Sequence, residues 1–508
     1  MKEKFYITTP IYYPSANFHI GHCYSTIIAD SIARYKRLDG YDTYFLTGSD
    51  EHGQKIEKKA NEAGVTPQEY VDKIVENAKD LWASLGITYD RFIRTTDKDH
   101  VEIVQNIFKK LFDQGDIYKG EYKGLYCTPC ESFWTETQLV DGKCPDCGRE
   151  VHEISEEAYF LKLSKYQDRL EKYINEHPTF IEPESRKNEM INNFIKPGLE
   201  DLCVSRTSFK WGIPVTFDES HVVYVWLDAL TNYISALGYS TNHDELFKKY
   251  WPANVHIVGK EIVRFHTIIW PIILMALDLP LPEKVFGHGW LIIDGNKISK
   301  SLGNYKDPRE YINAYGVDAV RYFSLREIPF GNDGNFSENA LIGRINGDLA
   351  NIWGNLVNRT ISMANKYFNG TITNKNIKEE LDDELISNIN KLKLTCDKYI
   401  DDLQISKVLE TIFDTLRASN KYIDDTTPWI LAKDETKKDR LETVLYNLLE
   451  SIRITNILLK PFMPDSTEKV INQINSDKND FNDTLYIDSN EYKVTDKPIP
   501  LFQRIDIK

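Results

Sequence analysis

Two short clusters, far apart in the chain, carry groups suited to phosphate chemistry. In His19-Ile20-Gly21-His22 the imidazoles lie one helical turn apart, and Gly21 lets a ligand approach the backbone closely. Pro10 and Pro14 punctuate the segment before it, and an apolar pattern at helical spacing (Ile20, Tyr24, Ile27, Ile28, Ile32) predicts a helix whose unpaired N–H groups face that loop. Such a helix start receives anions, and the imidazoles beside it can stabilise charge that grows on a nucleoside triphosphate during attack at phosphorus. Taken alone, the tetrapeptide is also compatible with two satisfied surface histidines. The second cluster, Lys297-Ile298-Ser299-Lys300-Ser301, changes that balance. Its lysines are three residues apart, between Asp294-Gly295-Asn296 and Gly303-Asn304, and on such a loop they can swing over a triphosphate as pyrophosphate leaves.

Four of the seven cysteines form two pairs, Cys127-Thr128-Pro129-Cys130 and Cys144-Pro145-Asp146-Cys147-Gly148, separated by thirteen residues. The spacing is close to that of a structural zinc ribbon, though slightly shorter. Four thiolates close a tetrahedral sphere and leave no position for water, which predicts one structural Zn2+ per chain; free thiols or a redox pair are the alternatives. Cys23, Cys203 and Cys396 have no metal-like spacing and read as core residues. So few cysteines do not make a disulfide scaffold, and the paired ones suit a reducing compartment.

These groups need a scaffold. Strands at 5–9 and 43–48 alternate with helices at 19–38 and 69–85, a βαβ rhythm that predicts a parallel sheet with ligands at the carboxyl ends of its strands. Asp50-Glu51-His52-Gly53 follows the second strand directly, where an acid and an imidazole can hold an α-amino group or a ribose, or cap a helix. Residues 116–221, turn-rich and carrying all the paired cysteines, break the rhythm and read as an insertion. Strand-like segments at 222–226 and 255–259 and a helix at 261–277 predict the second half of the sheet. A connector at 291–350 carries the lysine motif and a loop signal at 331–335. Beyond it helical periodicity dominates, as in Leu385, Ile389, Leu392, Cys396 and Tyr399 and in Leu441, Leu445, Leu448 and Ile452. Pro461 and Pro464 stop the last long helix, and 475–483 is a polar loop.

A chain of 508 residues holds about three to four domains, and 41% hydrophobic with 27% charged residues is ordinary for a folded globular protein. The formal net charge of −15 excludes a protein that binds nucleic acid through bulk electrostatics, so any such partner must be met by local basic patches and base-reading side chains. Met1-Lys2-Glu3-Lys4 runs into a strand without a signal-peptide core, and the apolar run near 268–277 contains Pro271 and is too short for a bilayer. A cytoplasmic protein without membrane contact is expected.

The histidine and lysine clusters together resemble the paired signatures of the class I aminoacyl-tRNA synthetases. Thr9-Pro10-Ile11-Tyr12-Tyr13, Gly48-Ser49-Asp50-Glu51-His52-Gly53, Val225-Trp226-Leu227-Asp228-Ala229, Gly259-Lys260-Glu261-Ile262-Val263-Arg264-Phe265-His266 and Pro428-Trp429 are similar to the methionine-specific branch, and they span nearly the whole chain. The departures are Ile298 where the family more often has Met, Leu230 where many members have Pro, and Glu261 where many have Asp. The resemblance implies an α/β fold: a Rossmann-type parallel-sheet catalytic domain with a zinc-knuckle insertion, followed by an α-helical anticodon-binding domain. The implied division is 1–115 and 222–290 for the two sheet halves, 116–221 for the insertion, 291–350 for the connector and 351–508 for the helical domain. The implied reaction joins methionine to tRNA(Met), initiator tRNA included, through attack of the methionine carboxylate on the α-phosphate of Mg2+-bound ATP.

By the same resemblance His19, His22, Lys297 and Lys300 are catalytic, and they bind ATP together with Gly21 and Ser299. The methionine pocket maps onto Ile11, Tyr13, Trp226, Ala229, Tyr233, Ile262 and His266, with Asp50 on the ammonium; aromatic and aliphatic walls suit a polarizable thioether. Anticodon recognition maps onto Asn355, Arg359 and Trp429, a stacking ring with two edge-reading side chains. Without the resemblance, Tyr13, Trp226, Tyr233 and Trp429 would be read as core aromatics. A class I synthetase for isoleucine, valine or leucine is disfavoured because residues 116–221 leave no room for an editing insertion, and a cysteine-specific one because no cysteine precedes Cys23. A non-catalytic tRNA-binding relative is disfavoured by the intact His19, His22, Lys297 and Lys300. The chain ends without the C-terminal β-barrel that dimerises longer members, so a monomer is expected.

Overall fold

The computed structural model describes residues 3–130, 132–134, 136–293, 296–297, 306–329 and 331–506; the side chains of residues 122, 123, 132, 133, 137, 154, 296 and 297 are outside this description. The chain divides into two compact units, one of residues 1–29, 42–83 and 87–290, the other of residues 30–41, 84–86 and 291–508.

The first unit is built on six parallel strands: β1 Lys4–Tyr12, β2 Asp42–Ser49, β3 Arg91–Arg94, β4 Ile181–Glu182, β5 Val255–Gly259 and β6 Val285–His288, in the spatial order β3-β2-β1-β5-β6-β4. At the centre, Tyr6, Ile7, Thr8 and Thr9 of β1 are all buried, as expected for a strand covered on both faces. The two threonines are tolerated because their hydroxyls are satisfied: Thr8 Oγ1 meets His256 Nδ1 at 2.7 Å, and Thr9 Oγ1 donates to Thr47 Oγ1 at 2.7 Å. Pro10 has no N–H for the ladder, and the β1–β2 register slips by one residue between Thr8 and Ile11 as the strand passes it. At Gly48 a Cβ would fall 2.1 Å from the Ile93 carbonyl oxygen, so only glycine lets β2 and β3 approach this closely. Strand order reverses at β1 and β5, which places the ligand crevice at their carboxyl ends. His19 to His22 follow β1, Asp50 to Gly53 follow β2, and Glu261 to His266 follow β5.

Two readings of the sequence need correction. Within 222–226 only Val222–Val223 is a strand, antiparallel to Ser205–Arg206 and outside the parallel sheet. Helix Val225–Ser235 takes the rest, with Trp226 in its first turn. That helix is buried on nearly every side, and a short, wholly apolar run cannot be told from a strand by periodicity. Residues 116–221 are not wholly an insertion, because β4 forms an edge of the main sheet, although most of the segment makes a separate antiparallel sheet around Ile117–Cys127 and His152–Leu161. The helix expected at 261–277 is present as a continuous helical run over 260–276; it opens with a tight turn Lys260–Ile262 and widens to a π-helical turn at Phe265–Ile269, ahead of Pro271, which lacks an N–H to donate backward.

In the second unit, helix Lys438–Leu459 is the axis, with every residue from Arg440 to Leu459 buried among Asn355–Phe368, Glu380–Asp401 and Ile405–Thr426. Pro464 opens the next helix, Pro464–Ile474. One fully buried cation ties the unit together. Arg321 contacts Asp30 Oδ2 at 2.7 Å and donates to the carbonyls of Phe462 (3.0 Å), Pro461 (3.1 Å) and Leu85 (3.2 Å) and to Ser31 Oγ (3.3 Å). Asp30 Oδ2 also accepts from Arg34 Nε at 2.9 Å. Removing the carboxylate leaves a guanidinium buried without its charge partner. We expect Asp30→Ala to destabilise this unit by about 3 to 5 kcal/mol in chemical denaturation; a loss below about 1 kcal/mol would show that the carbonyls alone suffice.

Candidate active site

The histidine pair is set by its own backbone. The His19 N–H donates to His22 Nδ1 at 3.0 Å, and the Gly21 N–H donates to His19 Nδ1 at 3.1 Å. Each Nδ1 is therefore an acceptor, so in the neutral rings both protons sit on Nε2. The ring centroids are 4.0 Å apart, and His22 stacks on Phe18 and meets Tyr12 edge-on. Burial, reinforced by His19, holds the His22 pKa well below the usual range, so it is a neutral donor at pH 7.

The loop after β2 is pinned at two consecutive residues. Glu51 accepts from Arg94 Nε (2.6 Å) and Nη2 (2.9 Å), from Ser49 Oγ (2.5 Å) and from Thr96 Oγ1 (2.7 Å). His52 Nδ1 meets Asp228 Oδ2 at 2.7 Å, the other Asp228 oxygen meets His100 Nε2 at 2.8 Å, and His100 Nδ1 meets Ser235 Oγ at 2.7 Å. Asp228, His100 and Ser235 are fully buried. Burial acts to raise the Asp228 pKa, but the charges and hydrogen bonds of His52 and His100 outweigh it and hold the carboxyl below its ordinary value. Asp50 is fixed beside this network, its N–H donating to the Tyr12 carbonyl at 3.0 Å at the end of β1.

Six of the seven expected pocket residues come together. Ile11 and Trp226 pack against two apolar clusters of this unit, one containing Ala229, the other Tyr233 and Phe265 with Ile262 at its margin. Trp226 lies flat on Phe265, centroids 3.4 Å apart and planes within 8°. His266 Nδ1 donates to the Ile262 carbonyl at 2.8 Å, which leaves Nε2 to accept the Tyr233 hydroxyl at 2.7 Å. Burial lowers His266 to about 4, so it is neutral. Tyr13, the seventh, is partly buried beyond the end of β1, with the Lys55 ammonium 5.4 Å from its ring centre.

The four paired cysteines converge, their sulfurs all within 4.8 Å of one another, with Cys127–Cys147 at 3.5 Å and Cys130–Cys144 at 3.8 Å. A zinc with sulfurs at about 2.3 Å has tetrahedral edges of about 3.8 Å, so the donor set fits. Gly148, at φ +67°, makes the left-handed turn that brings Cys147 back and lets its N–H donate to the Cys144 carbonyl at 2.8 Å. Glu157, Asp218 and His221 also gather, but the Lys119 ammonium already sits 2.7 and 2.8 Å from the two carboxylates.

In the second unit the backbone of Lys297 belongs to an antiparallel hairpin of Leu291–Ile293 and Asn296–Lys297; Ser299 and Lys300 lie outside the described residues. Asn355 is exposed at the start of Asn355–Phe368, and Arg359, one turn later, reaches Asp424 at 3.2 Å. Trp429 is 42% exposed, which rules out a core tryptophan.

The sequence matches the family tRNA synthetases class I (M) over residues 5–155 and 149–361, and the anticodon-binding domain of tRNA ligases over 382–504. A methionine–tRNA ligase of Clostridium acetobutylicum is 62% identical over 93% of this chain and 74% of its own length; one from Clostridium perfringens is 60% identical over 100% and 79%. The chain belongs to the methionine–tRNA ligases of class I. Its fold agrees with that of Mycobacterium tuberculosis methionyl-tRNA synthetase in complex with methionyl-adenylate, at TM-score 0.95 and 40% identity over 99% of this chain and 100% of the other. The apo form of the same enzyme gives 0.88 and 38% over 100% and 99%.

As a methionine–tRNA ligase the chain has site residues that its sequence did not announce. His100 and Asp228 meet only in the fold, although Asp228 lies in the motif that also holds Trp226. Arg94, which clamps Glu51, has no motif of its own. Phe265 is the neighbour of His266 and could have been found from the aromatic pair it forms with Trp226 only once the helix phase was known.

Burial holds His22, His256, His266 and His288 below their ordinary values, so between about pH 6.5 and 4 the unfolded chain binds more protons than the folded one. Stability from these groups is present above about pH 6.5 and is lost as pH falls toward 4. The urea midpoint should therefore drop between pH 7 and 5, and His266→Asn should flatten the slope, with His266 worth up to about 3 kcal/mol at the acid end. Identical slopes for parent and variant would contradict this.

Proposed function

We propose that methionine–tRNA ligation in this chain runs through the residues gathered at the carboxyl ends of β1, β2 and β5. The observation that carries this reading is their juxtaposition: two imidazoles at a helix start, a carboxylate held beside β1, and an aromatic–aliphatic wall closed by Tyr233 and His266. The thioether side chain lies against Ile11, Tyr13, Trp226, Ala229 and Ile262, and Asp50 takes the ammonium. Methionyl-adenylate, the ligand of the M. tuberculosis relative, is the proposed intermediate.

In the first step the methionine carboxylate oxygen bonds to the α-phosphorus of ATP while the bond from that phosphorus to the bridging oxygen breaks, and pyrophosphate leaves with its Mg2+. His19 and His22 donate from Nε2 to the phosphates, Gly21 leaves room for them, and Lys297, Ser299 and Lys300 neutralise the charge that grows on the leaving group. In the second step a ribose hydroxyl at the tRNA 3′ end attacks the acyl carbon and AMP departs, so no covalent enzyme intermediate is needed. Cys127, Cys130, Cys144 and Cys147 would hold one zinc, which supplies a closed structural crosslink. Residues 1–290 serve activation with an insertion in 116–221, 291–350 supplies the lysine loop, and 351–508 reads the anticodon of elongator and initiator tRNA(Met) through Asn355, Arg359 and Trp429. One chain carries every group named, so a monomer suffices. No described helix is long and apolar enough to cross a membrane, and a cytoplasmic site of action accords with tRNA as substrate.

Two substitutions separate the steps. Lys300→Ala should lower methionine-dependent pyrophosphate exchange by roughly a hundred- to a thousandfold while methionine binding changes little, because the charge acts in the transition state; near-normal exchange would refute the role. Trp429→Ala should cost about 1 to 3 kcal/mol of anticodon stacking, lowering tRNA charging about tenfold or more with exchange intact. Equal losses in exchange and charging would sink the anticodon assignment.

A further inference from the structure

Arg264 is a buried guanidinium with no carboxylate in direct contact among the described residues. Among the described residues its side chain makes no ion pair and no hydrogen bond; instead its Cζ lies 4.7 Å from the ring centre of Phe265, 5.0 Å from that of Trp134 and 5.1 Å from that of Phe194. Burial opposes its charge, and the groups that act in the other direction are Asp146 and Cys144, both in the cysteine knuckle. On one side, Trp134 packs with Cys127 and Cys144 in a small buried cluster. On the other, Phe265 lies flat on Trp226 at 3.4 Å. An unbroken run of contacts thus leads from the metal-binding sulfurs through Trp134, the guanidinium and Phe265 to Trp226.

We infer that Arg264 is a positioning residue that couples the four-cysteine knuckle to the methionine wall, holding Phe265 and so Trp226 in register. This rests on the reading of Trp226 as part of that wall. Four thiolates around a divalent ion carry a net charge of −2, and a planar cation among rings beside them satisfies that charge and fixes the rings at once. A lysine supplies the charge without the plane, and a methionine fills the length without the charge.

Three variants test the coupling, with methionine affinity measured by calorimetry, zinc by elemental analysis, and exchange kinetics alongside. Arg264→Met should keep one zinc per chain and raise the methionine Kd about tenfold, with the KM for ATP within about twofold of the parent; Arg264→Lys should raise the Kd less, about threefold. Trp134→Leu should weaken methionine binding too, and combining it with Arg264→Met should add little, because both cut the same run of contacts. Arg264→Met that holds zinc and binds methionine like the parent overturns the inference, as does full additivity in the double variant. If Arg264→Met fails to fold, Arg264→Lys decides: an unchanged Kd with only a lower melting temperature makes the residue merely structural. Trp226→Ala separates this from the underlying reading. If it leaves methionine binding intact, the wall assignment fails; if it abolishes binding while the Arg264 variants do not, only the coupling fails.

Discussion

A carboxylate buried without contact to water must be paired or neutralised, and in the first unit that requirement falls on Asp228. Its two oxygens are used by His52 and His100, and the far nitrogen of His100 is used by Ser235, seven residues along the same helix as Asp228. Three elements are therefore locked together by one charge: the loop after β2, helix Lys98–Asp113 and helix Val225–Ser235. Asp50 precedes Glu51 and His52, while Trp226 lies two residues before Asp228. The polar end and the apolar wall of the pocket are thus referred to a common buried anchor, and neither can drift without stranding a charge.

How much of this was legible depended on how local the signal was. The histidine pair, the cysteine knuckle and the βαβ start could be read because each is a short run of uncommon residue types at fixed spacing. The run Val222-Val223-Tyr224-Val225-Trp226 could not, since its β-rich composition described burial rather than extension, and a helix buried on all sides leaves no polar stripe to betray it. The two residues of β4 were hidden because an edge strand that short carries no pattern of its own. His100 and Asp228 are far apart in sequence, and each by itself looks like an ordinary surface residue. Only the fold shows that neither touches water.

The overall acidity of the chain leaves recognition of an RNA substrate to local side chains rather than to bulk charge. Arg359 is offset by Asp424, and the indole of Trp429 is exposed on the short helix Pro428–Leu431, after the left-handed residue Thr427. On the anticodon reading proposed for Trp429, an exposed ring gains from stacking whatever the net charge around it, while long-range attraction stays weak.

The Arg321 hub has a consequence for where this chain can be cut. Its acceptors come from residues near 461, but also from Asp30, Ser31 and Leu85, which precede the second unit's main span by hundreds of positions. A fragment started at residue 291 would keep the guanidinium and two backbone carbonyls and lose its counter-ion, its hydroxyl and one carbonyl. What looks in sequence like a C-terminal module is, as folded matter, stitched to the early part of the chain, and a recombinant piece meant to report on it alone would have to carry 30–41 and 84–86 with it.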